Sequence, residues 1–152
     1  MVEILVEQQF RAGVDAVFAA VSDHPRFIAG RGLVCRLSRE GHPTANGLGA
    51  LREVRSGPLR LIESITAWQP GQGYDYRIQR VRLGPVPFPF VHELGEVRLQ
   101  PDAGGTRVSW RSRFRVPLPV LGTALEARLA AGGKQTFATL LRRAAEQLGP
   151  PR

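Results

Sequence analysis

Residues 121–148 read LGTALEARLA AGGKQTFATL LRRAAEQL. Leu121, Leu125, Leu129, Phe137, Leu140, Leu141, Ala144 and Leu148 return at helical intervals, which draws a single apolar stripe along one long amphipathic helix. Pro117 and Pro119, just upstream, stop whatever precedes it. Gly132-Gly133 in the middle costs roughly 1 kcal/mol per glycine relative to alanine, so a bend or irregularity is expected there.

Upstream of this helix the text is strands and turns. Period-two alternation predicts strands over residues 33–39, 49–55, 59–68, 74–83, 91–100 and 106–116. They are separated by short turn sequences such as Ser56-Gly57-Pro58, Pro70-Gly71-Gln72-Gly73 and Asp102-Ala103-Gly104-Gly105. Connections this short join antiparallel neighbours. At the front, Val2, Ile4, Val6 and Phe10 alternate with Glu3 and Glu7 as a half-buried first strand. Gly13 breaks it, Val14, Val17, Phe18 and Val21 carry a short helix, and His24-Pro25 opens a second single-turn helix over residues 25–29. The result is an α+β chain with a curved antiparallel seven-stranded sheet, two short helices and one long C-terminal helix. With 152 residues, no internal repeat and no linker, it is expected to form one domain over residues 1–152.

Composition narrows the function. No apolar run approaches the roughly 18 residues of a membrane span. The N-terminal stretch carries acids within its apolar run and lacks a signal-peptide pattern, so a cytoplasmic location is the expectation. Cys35 is the single cysteine, which excludes an internal disulfide and a multi-thiolate zinc site and suits a small buried apolar residue. The net charge of +8 raises nucleic-acid binding, but only Lys134 is a lysine and the arginines are scattered along the chain. The densest group, Arg107, Arg111, Arg113 and Arg115, alternates with apolar residues as the solvated face of a strand, so nucleic acid is not the expected partner. His24, His42 and His92 lie in separate segments without metal-site spacing, so no metal is expected. The glycine clusters lack a phosphate loop's lysine and a dinucleotide site's context, no serine sits in a nucleophile elbow, and no cofactor is expected.

A curved sheet gripping a helix encloses a pocket, and strand period selects its lining. The inward sets are read as Leu59, Leu61, Glu63, Ile65 and Ala67; Tyr74, Tyr76, Ile78 and Arg80; Val91, Glu93, Gly95, Val97 and Leu99; and Thr106, Val108, Trp110, Ser112, Phe114 and Val116. Glu63, Glu93 and Arg80 thus fall on apolar faces, where they must pair, meet water or lie near the open end; a bulge would turn them outward. Were they catalytic, Glu63 or Glu93 could remove a proton alpha to a carbonyl while Tyr76 donates to the developing oxyanion. Leu125, Leu129, Phe137, Leu140 and Leu141 are expected to form the helical wall. Phe88, in the apolar turn Pro85-Val86-Pro87-Phe88-Pro89-Phe90, is expected either at the cavity rim or covering the end of the core. Gly132-Gly133 either widens the cavity or admits close approach of a strand or second subunit.

The order of elements resembles the helix-grip fold of the START-like, Bet v 1-like (SRPBCC) superfamily, in particular its bacterial polyketide cyclase/dehydrase-like branch. Four segments carry the resemblance: residues 10–23, 63–71 followed by Tyr74-Asp75-Tyr76, 95–101, and 105–110. Together they cover nearly the whole chain. Two features depart from it: Phe27 stands where members usually carry a tryptophan, and the loop over residues 85–90 is more apolar than expected. The resemblance implies a cavity that binds or carries an apolar, lipid- or polyketide-like small molecule, or alternatively a cyclase or dehydratase acting on a polyketide-like substrate. A monomer and a homodimer both remain open.

Overall fold

In the computed structural model, which describes residues 1–151, the first strand pairs with the last. Strand β1 (Val2–Phe10) lies antiparallel to β8 (Gly105–Arg115), with Val2 opposite Phe114 and Phe10 opposite Thr106. Between them in sequence come α1 (Val14–Ser22), α2 (His24–Phe27), β2 (Leu33–Arg39), β3 (Leu51–Ser56), β4 (Leu59–Gln69), β5 (Gly73–Leu83), β6 (Val86–Pro87) and β7 (Val91–Asp102), and α3 (Gly122–Leu148) closes the chain. The spatial order is β1-β8-β7-β5-β4-β3-β2, all neighbours antiparallel, with β6 pairing β5 off this path. The expected seven strands are present; β6 is a two-residue addition inside the proline-rich loop.

The core lies between the concave face of the sheet, the two short helices and the C-terminal half of α3. Phe10, Val17, Val21, Val97, Val108 and Leu141 are all fully buried in it. A second apolar cluster of Ile4, Phe114 and Val116 packs under the first half of α3, against Leu125 and Leu129. Helix α3 runs unbroken through Gly132-Gly133, so the expected irregularity is absent from its hydrogen-bonded span. A Cβ on Gly133 would stand 2.6 Å from Ile4 Cδ1, the end of a side chain that would have to shift, whereas one on Gly132 would meet open space.

Three bulges set which side chains face inward on β4, β5 and β7, one of them, between Ile65 and Ala67, putting Trp68 against the core in place of the expected Ala67. Between β4 and β5 the register jumps from Ile62 opposite Arg80 to Glu63 opposite Ile78, which leaves Gln79 as an extra residue. Beyond it Val81 and Leu83 turn inward, and Arg80 is exposed on the outer face, not the inner one expected. In β7 the shift between His92 and Leu94 makes Glu93 the extra residue. Glu93 is therefore exposed, 3.8 Å from Arg115, and His92 takes the inward position with only 6% exposure. Tyr74 does face inward, but it is packed in the core beside His24 and Trp68, and its hydroxyl donates to the Val21 carbonyl at 2.8 Å.

Candidate functional site

Sheet curvature leaves a cavity of about 570 Å³ between the concave face and α3. Strand β5 pairs with β7 only from Gly73 to Asp75, and further along the two strands separate. There a side chain replaces the ladder, since the Ile78 N–H donates to His92 Nδ1 at 2.9 Å. Because Nδ1 accepts, Nε2 carries the ring proton and donates to Ser112 Oγ at 3.0 Å. Burial, then the charges of Arg77 and Arg52, bring the His92 pKa down to about 4, in keeping with a neutral ring. Gly95 makes room for this arrangement. A Cβ there would lie 2.6 Å from His92 and 2.7 Å from Tyr76, whose rings stack at 5.3 Å.

Most of the wall is apolar. Leu59, Leu61, Ile78 and Val81 come from the sheet, Leu125, Leu129, Phe137 and Leu140 from α3, and Phe88 and Phe90 from the loop before β7; Leu141, expected on this wall, is instead fully buried in the core. Phe137 lies flat on Trp110 at 3.8 Å between ring centroids, and Phe90 stacks on Phe114 at 4.8 Å. Phe88 is half-buried and borders the cavity while also packing on the Ile4 cluster, so it fits both expectations stated for it.

The buried polar part is concentrated at one place on the sheet. Arg52 and Glu63 are directly paired on β3 and β4, and Arg52 Nε donates to Glu63 Oε2 at 2.5 Å. Arg52 is 1% exposed. Its Nη1 donates to His24 Nδ1 at 3.0 Å, so His24 Nε2 is the protonated nitrogen and donates to the Asn46 carbonyl at 2.9 Å. Burial, followed by the adjacent Arg52, holds the His24 pKa well below its ordinary value. The guanidinium also lies over the Tyr76 ring, 4.7 Å from its centroid. Trp110 Nε1 donates to the Tyr76 hydroxyl at 2.8 Å, and burial raises the Tyr76 pKa, which keeps the phenol protonated. Arg52, Glu63, Tyr76, Ser112 and Trp110 all border the cavity.

Of the residues singled out from sequence, the structure thus brings Glu63, Tyr76, Trp110, Ser112, Phe88, Leu125, Leu129 and Phe137 to one cavity, and leaves Tyr74, Arg80 and Glu93 outside it. Sequence reasoning missed Arg52, His24 and His92. Arg52 was findable, because Ala50, Arg52 and Val54 alternate on one face as Leu61, Glu63 and Ile65 do. His92 was not, since it faces inward only because of the bulge at Glu93. Cys35 is buried and free, and burial pushes its thiol up to about 11, which suits the structural role expected of it. Among the described residues, no group of three or more His, Cys, Asp or Glu could hold a metal ion, and no helix is long and apolar enough to cross a membrane.

These features define a helix-grip protein: a curved antiparallel sheet wrapped on a C-terminal helix with an internal, largely apolar cavity. The chain belongs to the family described as polyketide cyclase / dehydrase and lipid transport, whose model matches residues 1–149. Solved structures with the same fold include TTHA0849 from Thermus thermophilus, at 15% identity and a TM-score of 0.72 over 95% of both chains. MLL2253 from Mesorhizobium loti is similar at 14% identity and a TM-score of 0.68, covering 97% of this chain and 96% of that one. The protein Ara h 8.0201 is 14% identical with a TM-score of 0.62, over 94% of this chain and 97% of its own. No curated protein matches the sequence significantly.

Proposed function

We propose that this protein binds or carries an apolar small molecule, lipid-like or polyketide-like, in the cavity between sheet and α3. The observation that carries the reading is the cavity's make-up: about 570 Å³ of space walled by leucines, isoleucines, valines and phenylalanines. That volume falls within the roughly 300–1,000 Å³ of small-molecule sites and suits a ligand of a few hundred daltons. The polar groups of its sheet wall around Arg52 are already engaged with protein. Arg52 holds Glu63 and His24, Trp110 holds Tyr76, and His92 holds Ser112. A ligand therefore need not supply a counter-charge to that wall, and its apolar body provides the affinity through burial.

A cyclase or dehydratase is the second reading, supported by the meeting of Glu63, Tyr76 and Ser112 at one cavity wall. The engagement of the Glu63 carboxylate by a buried guanidinium favours carriage, because a general base must be free to take a proton.

Titration with an apolar fluorescent probe tests the proposal, alongside native mass spectrometry of the purified protein. One probe per chain, displaced by long-chain fatty acids and lost in a folded Leu129→Trp variant that fills the cavity, is expected. Unchanged probe binding in that variant would remove the cavity from the function. Mass-spectrometric detection of a bound compound converted to a second species during incubation would replace carriage by catalysis.

A further inference from the structure

The mouth of the cavity carries a surface that ligand binding within the cavity does not explain. Two loops at this rim expose apolar side chains at their tips. In the β5–β6 turn, Leu83 is 48% and Val86 61% exposed; in the β8–α3 loop, Val120 is 96% and Leu121 61% exposed. Leu83 and Phe88 border the cavity from the first loop, and Leu125, one turn beyond Leu121, borders it from the second. Val120 is held at φ 66°, a left-handed conformation that a β-branched residue adopts only under strain. Its apolar side chain stands out in water, where folding gains nothing from it.

Behind these tips stands a row of like charges. Arg55 lies opposite Arg60 on β3 and β4, and Arg60 lies opposite Arg82 on β4 and β5. Val54, Leu59, Leu61, Val81 and Leu83 line the cavity, so strand alternation puts all three arginines on the outer face. Like charges directly opposite on neighbouring strands oppose folding. Arg55 is offset by Glu53 at 2.8 Å, whereas Arg60 and Arg82 are exposed and meet no carboxylate among the described residues. Glu93 is paired with Arg115 and Glu126 with the N-terminal amine.

We propose that this end of the molecule docks on an anionic lipid surface, with the tips of the two loops entering the headgroup layer and the arginine row facing lipid phosphates. Arg82 immediately precedes Leu83 and Arg60 follows Leu59, so the cations sit within a residue or two, roughly 3–7 Å, of the apolar tips. That is the depth relation an interfacial anchor needs. A nucleic acid would use the arginines but not Val120 and Leu121. Docking in this orientation presses the cavity mouth against the membrane, where an apolar ligand transfers without crossing water.

Co-sedimentation of the whole protein, with no ligand added, tests this with vesicles of phosphatidylcholine alone and of phosphatidylcholine mixed with phosphatidylglycerol. Binding to the mixed vesicles only, weakened by salt, is expected. Val120→Asp with Leu121→Asp, and separately Arg60→Glu with Arg82→Glu, should each weaken it at least about tenfold. Probe uptake by the cavity should stay intact in both, which separates failure of docking from failure of the cavity reading. The proposal is overturned if mixed vesicles are not bound or neutral ones are bound equally. Vesicle binding insensitive to Val120→Asp with Leu121→Asp overturns it, as does binding to duplex RNA without binding to vesicles.

Discussion

Arg52 and Glu63 occupy directly opposed positions on β3 and β4 and form an ion pair almost wholly shielded from bulk solvent, with side chains 1% and 6% exposed. Neither could be there alone, since an isolated buried charge costs several kcal/mol. Arg52→Met should therefore destabilise the protein by about 3–5 kcal/mol, and Glu63→Leu by a comparable amount. The double variant Arg52→Met with Glu63→Leu should recover most of the loss. Urea unfolding of all three checks this; a double variant as unstable as the two singles added would show that the residues do not act as a pair.

Stability should fall on mild acidification. His92 titrates near 4 in the folded chain, against an ordinary 6.5, because burial and then Arg77 and Arg52 disfavour its charged form. Between those values only the unfolded chain takes up the proton, so stability is full above about pH 6.5 and is lost as pH falls toward 4. The loss is on the order of 2–3 kcal/mol, and His24 shifts the balance in the same direction. Thermal melts from pH 7 to pH 4 check it, and a folded His92→Gln variant should show a shallower decline. An unchanged decline would remove His92 as its source.

The adjacent glycines of α3 should respond oppositely to substitution. Gly132 faces open space, so Gly132→Ala should add up to about 1 kcal/mol through helix propensity. At Gly133 a Cβ would stand 2.6 Å from Ile4 Cδ1, so Gly133→Leu should destabilise by displacing the Ile4 side chain from its packing with Phe114 and Val116. Differential scanning calorimetry distinguishes them. A Gly133→Leu variant with a raised Tm would mean that helix propensity outweighs the contact.

Phe88 borders the cavity and packs on Ile4, Phe114 and Val116. Phe88→Ser should weaken apolar-probe binding severalfold and lower stability by about 1–3 kcal/mol, less than loss of a wholly buried phenylalanine. Intact probe affinity with the same loss of stability would assign the residue to the core alone.

The order of strand, two short helices, sheet and long helix was legible in the sequence. Each element bears its own local signature: period-two alternation in β1 and β8, proline and glycine at the turns, and helical spacing of Leu125, Leu129, Phe137, Leu140 and Leu141. The same alternation placed Glu63, Tyr76, Trp110 and Ser112 at the cavity, because between bulges a strand's parity is kept. What only the tertiary structure decided lies beyond the bulges and between strands. Gln79 and Glu93 each add one residue to a strand, which turned Arg80 outward and brought His92 in. The link from His24 through Arg52 to Glu63 joins a helix start to two strands, 28 and 11 residues apart along the chain at its two steps. Local periodicity carries no information about such separations: an extra residue reverses parity without leaving a compositional mark, and a buried charge finds its partner only once the chain has folded.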